Sequence, residues 1–243
     1  MYSGRYTDSN TAVSPGLSRT EQVYRALYEE LLQGRHPFGV TLREGRVAER
    51  FEVSRTPARE ALRQLEADGH LVRGIDGGLT PRPPQIAGMR DLYELRLLLE
   101  LSMVRRTAAA DPASNAALQA LRSDWETLRE DPRHDDVFVD AAFVRADEDF
   151  HVRLAGAAGN SAMVTALCDV NGRLRLLRVH DFRQEGRIAS TIREHLEILS
   201  AVQGADPDAS ATLLEAHINL SASVVEERVS EVLRRAFDPE ETA

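Results

Sequence analysis

Residues 52–70, EVSRTPAREALRQLEADGH, contain a tight turn followed by a helix with clear start and stop signals. Ser54 is a favourable N-cap residue, and Pro57 lies in the first turn, where its missing N–H costs nothing. Gly69 supplies a natural C-terminal stop. The apolar residues that recur at helical spacing, and that we expect on the buried face, are Ala61, Leu62 and Leu65.

Two helices are predicted before this stretch and a small β-hairpin after it. Residues 18–34 begin with a capping box formed by Ser18 and Glu21 and contain apolar residues at helical spacing. Residues 43–51 predict a helix of about two turns, and residues 71–83 predict two short strands around a glycine-containing turn. Three helices followed by a hairpin is the order of a winged helix-turn-helix, whose recognition helix enters the major groove of DNA.

Two arginines lie near the start of this candidate recognition helix. Arg55 and Arg59 are four residues apart, so they share one face of the helix. Arginine contacts guanine O6 and N7 bidentately, and a helix N-terminus favours phosphate. The alternative is a solvated face on which these arginines pair with neighbouring acids such as Glu60.

Charge is distributed unevenly along the 243 residues, whose formal net charge is −9. Residues 1–83 carry a net charge of +1 and residues 84–243 carry −10, and arginine supplies every fixed positive side chain because the chain has no lysine. No apolar run is long enough to cross a membrane, and Cys168 is the only cysteine, so no internal disulfide can form. We therefore expect a cytoplasmic protein with no membrane partner.

Composition and helix-breaking residues divide the chain into four parts. We expect a flexible tail over residues 1–17, the winged helix-turn-helix over 18–83, a helical domain over 84–236 and a short tail over 237–243. Beyond the proline-rich linker, proline, glycine and capping residues separate six helical segments and no segment alternates as a strand would. The sequence therefore predicts a mainly α protein whose C-terminal part is an all-helical antiparallel bundle. The six segments are predicted near 87–110, 113–130, 136–157, 161–182, 187–203 and 207–236.

Three histidines and one aspartate fall on predicted inward stripes of that bundle. The stripes comprise Val144, Asp147, His151 and Leu154 in the third segment, Ile192, His195, Leu199 and Val202 in the fifth, and Leu213, His217, Leu220 and Val224 in the sixth. A single histidine on an apolar face is usually a core residue that is hydrogen-bonded to the backbone. Three histidines, with a carboxylate one turn from one of them, are better explained by a shared divalent cation.

The stretch LREGRVAERFEVSRTPAREALRQLEADGHLV (42–72) resembles the DNA-binding domain of the GntR family of bacterial transcription regulators. The resemblance runs from about Arg19 to Pro83, and VSRTPAREAL (53–62) is nearly the recognition-helix signature of that family. The resemblance implies that the DNA contacts come from Arg46, Ser54, Arg55, Thr56, Arg59 and the wing around Gly77 and Gly78. Two positions depart from the family pattern: Gly45 stands where some relatives have an arginine, and Glu52 replaces the usual turn glycine.

Three stretches of the C-terminal part resemble the FCD effector-binding domain of the FadR branch of this family, namely 147–160, 194–202 and 206–218. The stretch DLYELRLLLE (91–100) is similar to the opening helix of that domain. The number of helices resembles the VanR-type subgroup. In metal-binding members the ligands are one aspartate and three histidines. The resemblance places these ligands at Asp147, His151, His195 and His217.

The resemblance also implies a small carboxylate effector beside the metal. Arg96 lies on an apolar stripe of the first segment and is the first candidate for the effector carboxylate, since arginine binds carboxylates bidentately. The alternative for Arg96 is a salt bridge to Asp147 or another acid of the bundle. Asn171 and Arg175, one turn apart, are weaker candidates for the same role.

The sequence therefore predicts a transcription regulator, a repressor in preference to an activator, that binds a pseudo-palindromic operator as a homodimer and is not an enzyme. A small organic acid bound at the metal site would control the affinity for DNA. The affinity order favours zinc or nickel, while manganese or iron is also compatible with these ligands. Two alternatives remain open at this point: a metal-dependent hydrolase or lyase that uses the same residues, and a regulator in which the metal is only structural.

Overall fold

The computed structural model describes residues 17–32, 35–36, 40–74, 77–83, 85–130, 141–178, 182 and 186–237. The predicted N-terminal tail up to residue 16, the helix stop at Gly34, the start of the third helical segment and the tail after Phe237 lie outside these residues. The chain divides into two compact units between Arg82 and Pro83, and each unit is described by itself.

The N-terminal unit has three helices and a two-stranded hairpin in the predicted order. The elements are α1 (Arg19–Leu32), α2 (Glu44–Arg50), α3 (Arg55–Ala67), β1 (Leu71–Arg73) and β2 (Leu79–Pro81). The strands are antiparallel, with Leu71 opposite Pro81, and Leu42 forms a bridge to Leu79 on the other side of β2. This is the predicted winged helix-turn-helix.

The core of this unit follows from the apolar spacing of its helices. At the start of α1 the backbone N–H of Glu21 donates to Ser18 Oγ at 3.2 Å, which is half of the predicted capping box. Ser54 occupies the N-cap position of α3, but its side chain makes no capping hydrogen bond. The buried residues that form the core are Val23, Leu27, Leu42, Val47, Ala48, Ala58, Ala61, Leu62, Leu65, Leu71 and Leu79.

The C-terminal unit is an all-helical bundle, as the sequence predicts. Its described residues form α4 (Ile86–Ala109), α5 (Ala116–Glu130), α6 (Ala141–Gly156), α7 (Ser161–Arg178), α8 (Arg187–Gln203) and α9 (Pro207–Phe237), with a 3₁₀ turn at Pro112–Ser114. Helix α4 is central, since it packs against α6, α7, α8 and α9. Over the described ranges, every helix is too short or too polar to span a lipid bilayer.

Side-chain caps fix where three of these helices begin. Asn115 Oδ1 accepts hydrogen bonds from the backbone N–H groups of Ala117 and Leu118 at the start of α5. Asn160 caps α7 through the N–H of Met163 at 3.2 Å, and Asp206 Oδ1 accepts from the N–H of Ala209 at 2.9 Å in α9. Such caps typically contribute about 1 kcal/mol each, so they help to set which residues of each helix face the core.

The buried face of α9 differs from the predicted one. Leu220 is 44 % exposed, and Leu213 and Val224 are only partly buried. The helix instead turns small residues toward its neighbours, and Ser221 Oγ lies 3.2 Å from the hydroxyl of Tyr93 on α4. The aliphatic residues that α9 buries are Leu214, Ile218, Val225 and Val229, while His217 is buried as predicted. The residues of α9 that are buried are Ser210, Ala211, Leu214, His217, Ile218, Ser221, Val225 and Val229.

The turn between α2 and α3 supplies a stability prediction. Glu52 has a φ of 52°, in the left-handed region that favours glycine. Left-handed backbone costs an ordinary residue roughly 1–2 kcal/mol, and the flexibility that glycine gives to the unfolded chain offsets about 0.4–1 kcal/mol of the gain. We therefore expect Glu52→Gly to raise the free energy of unfolding of the N-terminal unit by up to about 1 kcal/mol, measured by hydrogen exchange of buried amides in α1 and α3.

Glu49→Gly is the matched control, because Glu49 is also exposed but lies within helix α2. The same chemical change should there lower the free energy of unfolding by about 0.5–1 kcal/mol. Destabilisation by both variants would contradict a strained backbone at Glu52.

Candidate functional site

The four predicted metal ligands converge in the core of the C-terminal unit. Asp147 and His151 project from α6, His195 from α8 and His217 from α9, and one ligand atom of each lies within 4.8 Å of the others. His195 Nε2 lies 3.2 Å from His217 Nε2 and 3.5 Å from Asp147 Oδ1. His151 Nε2 lies 3.7 Å from Asp147 Oδ2. All four side chains are buried, with relative exposures between 0 % and 3 %.

These atoms suit a divalent cation in chemistry and in spacing. Imidazole nitrogen and carboxylate oxygen are ordinary ligands of first-row metals. Two nitrogens that are each about 2.1 Å from one metal ion lie about 3.0–3.4 Å apart, close to the separation of His195 and His217. Asp147 Oδ1 and His151 Nε2 have no hydrogen-bond partner among the described residues, although both atoms are buried. A cation would satisfy both, so the residues present fit a metal ion.

Two carboxylates orient the outer nitrogens of the histidine rings. Glu100 Oε2 lies 2.5 Å from His151 Nδ1, and Glu194 Oε2 lies 2.6 Å from His217 Nδ1. Burial would raise the pKa of Glu100, but the charges and hydrogen bonds of His151 and Arg96 outweigh it and lower that pKa to about 2. Because an ionised carboxylate can only accept, His151 Nδ1 must carry the proton, and its Nε2 lone pair then faces the cluster.

Glu194 has the same relation to His217. Burial would raise the pKa of Glu194, but hydrogen bonds from His217 and Ser190 and the charge of Arg187 lower it to about 2. The hydroxyl of Ser190 donates to Glu194 Oε1 at 2.7 Å and holds this carboxylate in place. Such outer carboxylates fix the tautomer of a ligating histidine and raise its basicity.

Asp147 is held ionised by a buried arginine from α7. Arg178 Nη2 donates to Asp147 Oδ2, and both side chains are 0 % exposed. Burial would raise the pKa of Asp147, but the charge of Arg178, followed by smaller contributions from His151 and His195, holds it well below its usual value. The carboxylate therefore remains available as an anionic ligand, since Oδ1 is not used by Arg178.

Aromatic rings enclose His195. Phe150 stacks on the imidazole, with ring centroids 3.6 Å apart and planes 6° apart. Trp125 contacts the imidazole edge-on, with ring centroids 4.2 Å apart. Desolvation by this environment, followed by the neighbouring His217 ring, lowers the pKa of His195 well below its usual value. Trp125 is therefore part of the core, as the sequence predicts, and also part of the wall of the cluster.

Arg96, the first candidate for an effector carboxylate, is buried beside the cluster. Its Nε donates to Glu100 Oε1 at 2.6 Å, so the bundle acid that it pairs with is Glu100, and the partner of Asp147 is Arg178. Both terminal nitrogens of Arg96 lack a hydrogen-bond partner among the residues described. The salt-bridge alternative thus accounts for one of its three nitrogens, and the fork of Nη1 and Nη2 stays available for an anion.

The two weaker effector candidates, Asn171 and Arg175, line a cleft of about 280 Å³ between α6 and α7. Asn171 is 1 % exposed, and neither its amide nitrogen nor its amide oxygen has a hydrogen-bond partner in the described part of the chain. Arg175 is engaged with Glu148, since its Nε lies 2.8 Å from Oε2 and its Nη2 lies 2.6 Å from the same oxygen. Of the two, Asn171 is the residue with free hydrogen-bonding capacity.

The predicted DNA contacts lie on an exposed part of the N-terminal unit. Ser54, Arg55 and Thr56 are exposed at the N-terminal end of α3, and Arg59 follows one turn later. Arg59 Nε lies 3.8 Å from Glu44 Oε2 at the start of α2, while Glu60, the partner weighed in the sequence analysis, lies 3.7 Å from Arg63. The solvated alternative is thus present for Arg59 alone, since Arg55 forms no ion pair with any described residue.

The other predicted contacts are placed by α2 and by the hairpin. Arg46 is exposed in the first turn of α2. Gly77 has a φ of 76° at the tip of the hairpin, where its carbonyl accepts a hydrogen bond from Arg73 at 3.0 Å. Gly78 accepts from the N–H of Gly74 at 2.8 Å and leads into β2. The glycines therefore shape the wing, and they offer only backbone groups to a partner.

Sequence reasoning missed four polar residues of the C-terminal site: Glu100, Arg178, Arg187 and Glu194. Two of them had a sequence signal. Glu100 follows Arg96 by one helical turn, and Glu194 immediately precedes His195. For Arg178 the only sequence signal was its position one turn after Arg175, because Asp147, with which it pairs, lies on another helix.

Two family models match the chain. Residues 19–79 match the model described as bacterial regulatory proteins, gntR family, and residues 91–220 match the FCD domain. The second match alone spans more than half of the chain.

Named relatives and a solved structure agree with these matches. The Nta operon transcriptional regulator of Aminobacter aminovorans is 32 % identical over 180 residues, which are 74 % of this chain and 81 % of that protein. The transcriptional repressor RspR of Escherichia coli is 26 % identical over 88 % of this chain and 92 % of its own length. A GntR protein from Rhodococcus sp. RHA1 shares the fold with a TM-score of 0.67, at 23 % identity over 86 % of this chain and 98 % of that one. The named relatives are transcription regulators and not enzymes, in agreement with the sequence prediction.

The buried imidazoles supply a pH prediction for the metal-free protein. Desolvation outweighs the attraction of Glu100 and lowers the pKa of His151 from 6.5 to about 4, so the folded state binds fewer protons than the unfolded state in that interval. The free energy of unfolding should therefore be largest above pH 6.5 and fall as the pH drops toward 4. The pKa values of Glu100 and Glu194 are lowered to about 2, so protonation of these two groups should reduce the free energy of unfolding further only below about pH 4.5.

The free energy of unfolding can be measured at each pH by denaturant unfolding in the presence of a chelator, with the fluorescence of Trp125 as the signal. Trp125 is the only tryptophan and lies in the C-terminal unit, so it reports on that unit. His36→Gln is the control, since the pKa of His36 is also lowered, by burial and by Arg35, but the residue lies in the N-terminal unit. A free energy of unfolding that is constant between pH 6.5 and 4.5 would refute the lowered imidazole pKa.

Proposed function

The chain belongs to the GntR family of bacterial transcription regulators with an FCD domain, and we propose that it is a repressor whose release from DNA is controlled by a small carboxylate bound at a divalent metal ion. The observation that carries the proposal is the wholly buried cluster of Asp147, His151, His195 and His217, whose ligand atoms lie within 4.8 Å of one another. The same unit holds the buried terminal nitrogens of Arg96 and the buried amide of Asn171, which have no hydrogen-bond partner among the described residues.

The N-terminal unit would bind DNA through the exposed end of α3. Arg55 and Arg59 would contact base edges in the major groove, while the free hydroxyl of Ser54 and the N–H groups of the first turn would contact phosphate. Thr56 would stand between these contacts, Arg46 would bind a phosphate from α2, and Gly77 and Gly78 would bring the wing close to the minor groove. Repression rather than activation is supported by the repressor RspR among the relatives.

Two copies of the chain would read the operator together. One recognition helix covers only a few base pairs, and two helices related by two-fold symmetry read two half-sites of a pseudo-palindrome. We therefore propose a homodimer in the cytoplasm, with two chains on one DNA duplex. The affinity gained from the second half-site is what an effector can remove, by changing the spacing of the two DNA-binding units.

In the C-terminal unit Asp147, His151, His195 and His217 would hold the metal ion, with Glu100 and Glu194 orienting the rings of His151 and His217. When bound, the metal would supply a Lewis-acidic centre with positions left for an oxygen ligand. Zinc or nickel is favoured, and manganese or iron is compatible with the same residues. Arg96, Asn171 and Arg175 would bind the rest of the effector, and the two unused terminal nitrogens of Arg96 suit a carboxylate.

Control of DNA binding requires that the effector bind one arrangement of the bundle more tightly than another. Helix α4 is placed to transmit such a difference, because it carries Arg96 and Glu100 and begins at Ile86, close to the boundary between the two units. A carboxylate that draws Arg96 toward the metal would therefore act directly on the helix that follows the linker.

The DNA contacts can be tested on an operator selected from random DNA by the purified protein. We expect Arg55→Ala and Arg59→Ala each to lower the affinity for this operator about tenfold to a hundredfold and to relax the base preference at one position of each half-site, because a bidentate arginine–guanine contact is worth about 1–3 kcal/mol. Mobility shifts at fixed salt measure the affinity, and the mass of the complex measures the number of chains bound.

Arg129→Ala is the control, because Arg129 is an exposed arginine of the C-terminal unit. Its removal changes the net charge equally and should leave the affinity nearly unchanged. Wild-type affinity of both α3 variants would show that the reading helix is wrongly assigned.

Metal binding can be tested through the residue that orients His217. We expect Glu194→Gln to weaken binding of Zn²⁺ or Ni²⁺ about tenfold to a hundredfold, because an amide does not fix the imidazole tautomer as a carboxylate does. Competition with a chromophoric chelator measures the affinity, and an operator mobility shift measures whether an organic acid still releases DNA.

Glu197→Gln is the matched control, since Glu197 is exposed one turn further along α8. It should bind the metal as the wild type does. Failure of the wild-type protein to bind either ion would remove the metal from the proposal, and effector release that persists in metal-free protein would make the ion purely structural.

A further inference from the structure

The surroundings of the metal cluster contain more cationic hydrogen-bond donors than the protein itself satisfies. Arg96 donates through Nε alone, and Arg178 donates through Nη2 alone, to Glu100 and Asp147 respectively. The remaining nitrogens of both guanidinium groups lack an acceptor among the described residues, and both side chains are 0 % exposed. Buried N–H groups cost free energy when they remain unpaired, so a ligand or water must supply the acceptors.

Both arginines lie close to the same anionic and imidazole groups. Arg178 contacts Asp147 directly. Arg96 donates to Glu100 Oε1, and the other oxygen of this carboxylate lies 2.5 Å from His151 Nδ1. The two guanidinium groups therefore approach the cluster from α4 and from α7, and an anion placed at the metal would be within reach of both charges.

The formal charges around the cluster cancel before any metal is bound. Arg96 is balanced by Glu100 and Arg178 by Asp147. The imidazoles must be neutral to act as ligands. A second, partly exposed set cancels in the same way, since Arg187 pairs with Glu194 and Arg175 with Glu148. A divalent cation therefore adds two positive charges that no buried group among the described residues of this unit compensates.

We propose that the effector is a small dianion, namely a dicarboxylate, one carboxylate of which lies at the metal while the other pairs with Arg96, with Arg178 and Asn171 donating to the remaining oxygens. This proposal rests on the proposed function. Two charges on the ligand restore neutrality in a buried site, whereas a monocarboxylate leaves one positive charge uncompensated. Two separated carboxylates also provide acceptors for guanidinium groups that come from opposite helices.

A cleft between α6 and α7 shares one residue, Asn171, with this proposed site. Asn171, whose amide lacks partners among the described residues, lies on the same face of α7 as Arg178, two turns earlier, and also lines the cleft between α6 and α7. The volume of the cleft, about 280 Å³, is at the lower end of the range of roughly 300–1,000 Å³ that is usual for small-molecule sites. The metal ligands and Arg96 are wholly buried, so we expect a short-chain diacid rather than a long acyl chain or a nucleotide.

The test compares acids of equal chain length that differ in one carboxylate. The full-length protein is loaded with Zn²⁺ or Ni²⁺, dialysed free of excess metal and titrated by calorimetry with succinate against butyrate, glutarate against valerate, and malate against 3-hydroxybutyrate. We expect the dicarboxylate of the best-fitting pair to bind at least about tenfold more tightly than its monocarboxylate, because one more charge-assisted contact is made in a buried site.

Two variants separate charge balance from the loss of a single contact. Arg96→Gln leaves one fewer positive charge, so the preference for the dicarboxylate should fall about tenfold. The double variant with Arg96→Gln and Glu100→Gln restores the original balance, so it should bind more weakly than wild type but keep a preference for the dicarboxylate. Metal affinity, measured separately for each variant, shows whether the site itself is intact.

Equal or tighter binding of the monocarboxylates by the metal-loaded protein overturns the proposal, and so does the absence of binding by every dicarboxylate of two to six carbons. Either result leaves the proposed function standing if the metal still binds and a monoanion releases the operator. Loss of metal binding in the wild-type protein would instead overturn the proposed function itself.

Discussion

Burial of charge in the middle of a helical bundle is the constraint on which the C-terminal unit depends. Asp147 and Arg178 are both completely inaccessible to solvent and contact each other. An isolated charge in such a place would be prohibitively costly, and removal of one partner of a buried pair typically costs about 3–5 kcal/mol. The helices are therefore held in the one arrangement that brings the charged residues together. Each of α4, α6, α7, α8 and α9 contributes at least one member of the network.

The sequence was sufficient to locate the four residues of the cluster because each lies on the predicted inward face of its helix. Asp147 and His151 are one helical turn apart, and two further histidines lie on other amphipathic helices. Residues of one type on several buried stripes must meet if those stripes face one core, and this needs no knowledge of helix order. The recognition helix could also be predicted from the sequence, since an N-cap residue, a first-turn proline and a terminal glycine fix its bounds within a few residues.

The pairing of Arg178 with Asp147 could not be predicted, because it depends on which helices become neighbours. For Arg96 the expected salt-bridge partner was Asp147 or another acid of the bundle, and the acid that receives its hydrogen bond is Glu100, one turn away on the same helix. The face of α9 was wrong for a related reason. The leucine pattern favoured Leu213 and Leu220, but α9 buries Leu214, Ile218 and Ser221, and Ser221 Oγ lies 3.2 Å from the hydroxyl of Tyr93 on α4. The face that a helix buries depends on the neighbours against which it packs.

The ion pair between Glu44 and Arg59 has a consequence for how the protein searches a chromosome. In the proposed DNA complex, Arg59 would exchange its ion pair with Glu44, whose Oε2 lies 3.8 Å from its Nε, for a contact with DNA. Loss of this ion pair would weaken binding to random sequence and to the operator alike. Only at the operator would a bidentate contact with guanine compensate for the loss. A genome offers on the order of 10⁶ or more competing sites. In the proposed complex, an acidic residue beside α3 would thus favour selectivity at the expense of affinity, so fewer molecules would be bound to DNA other than the operator.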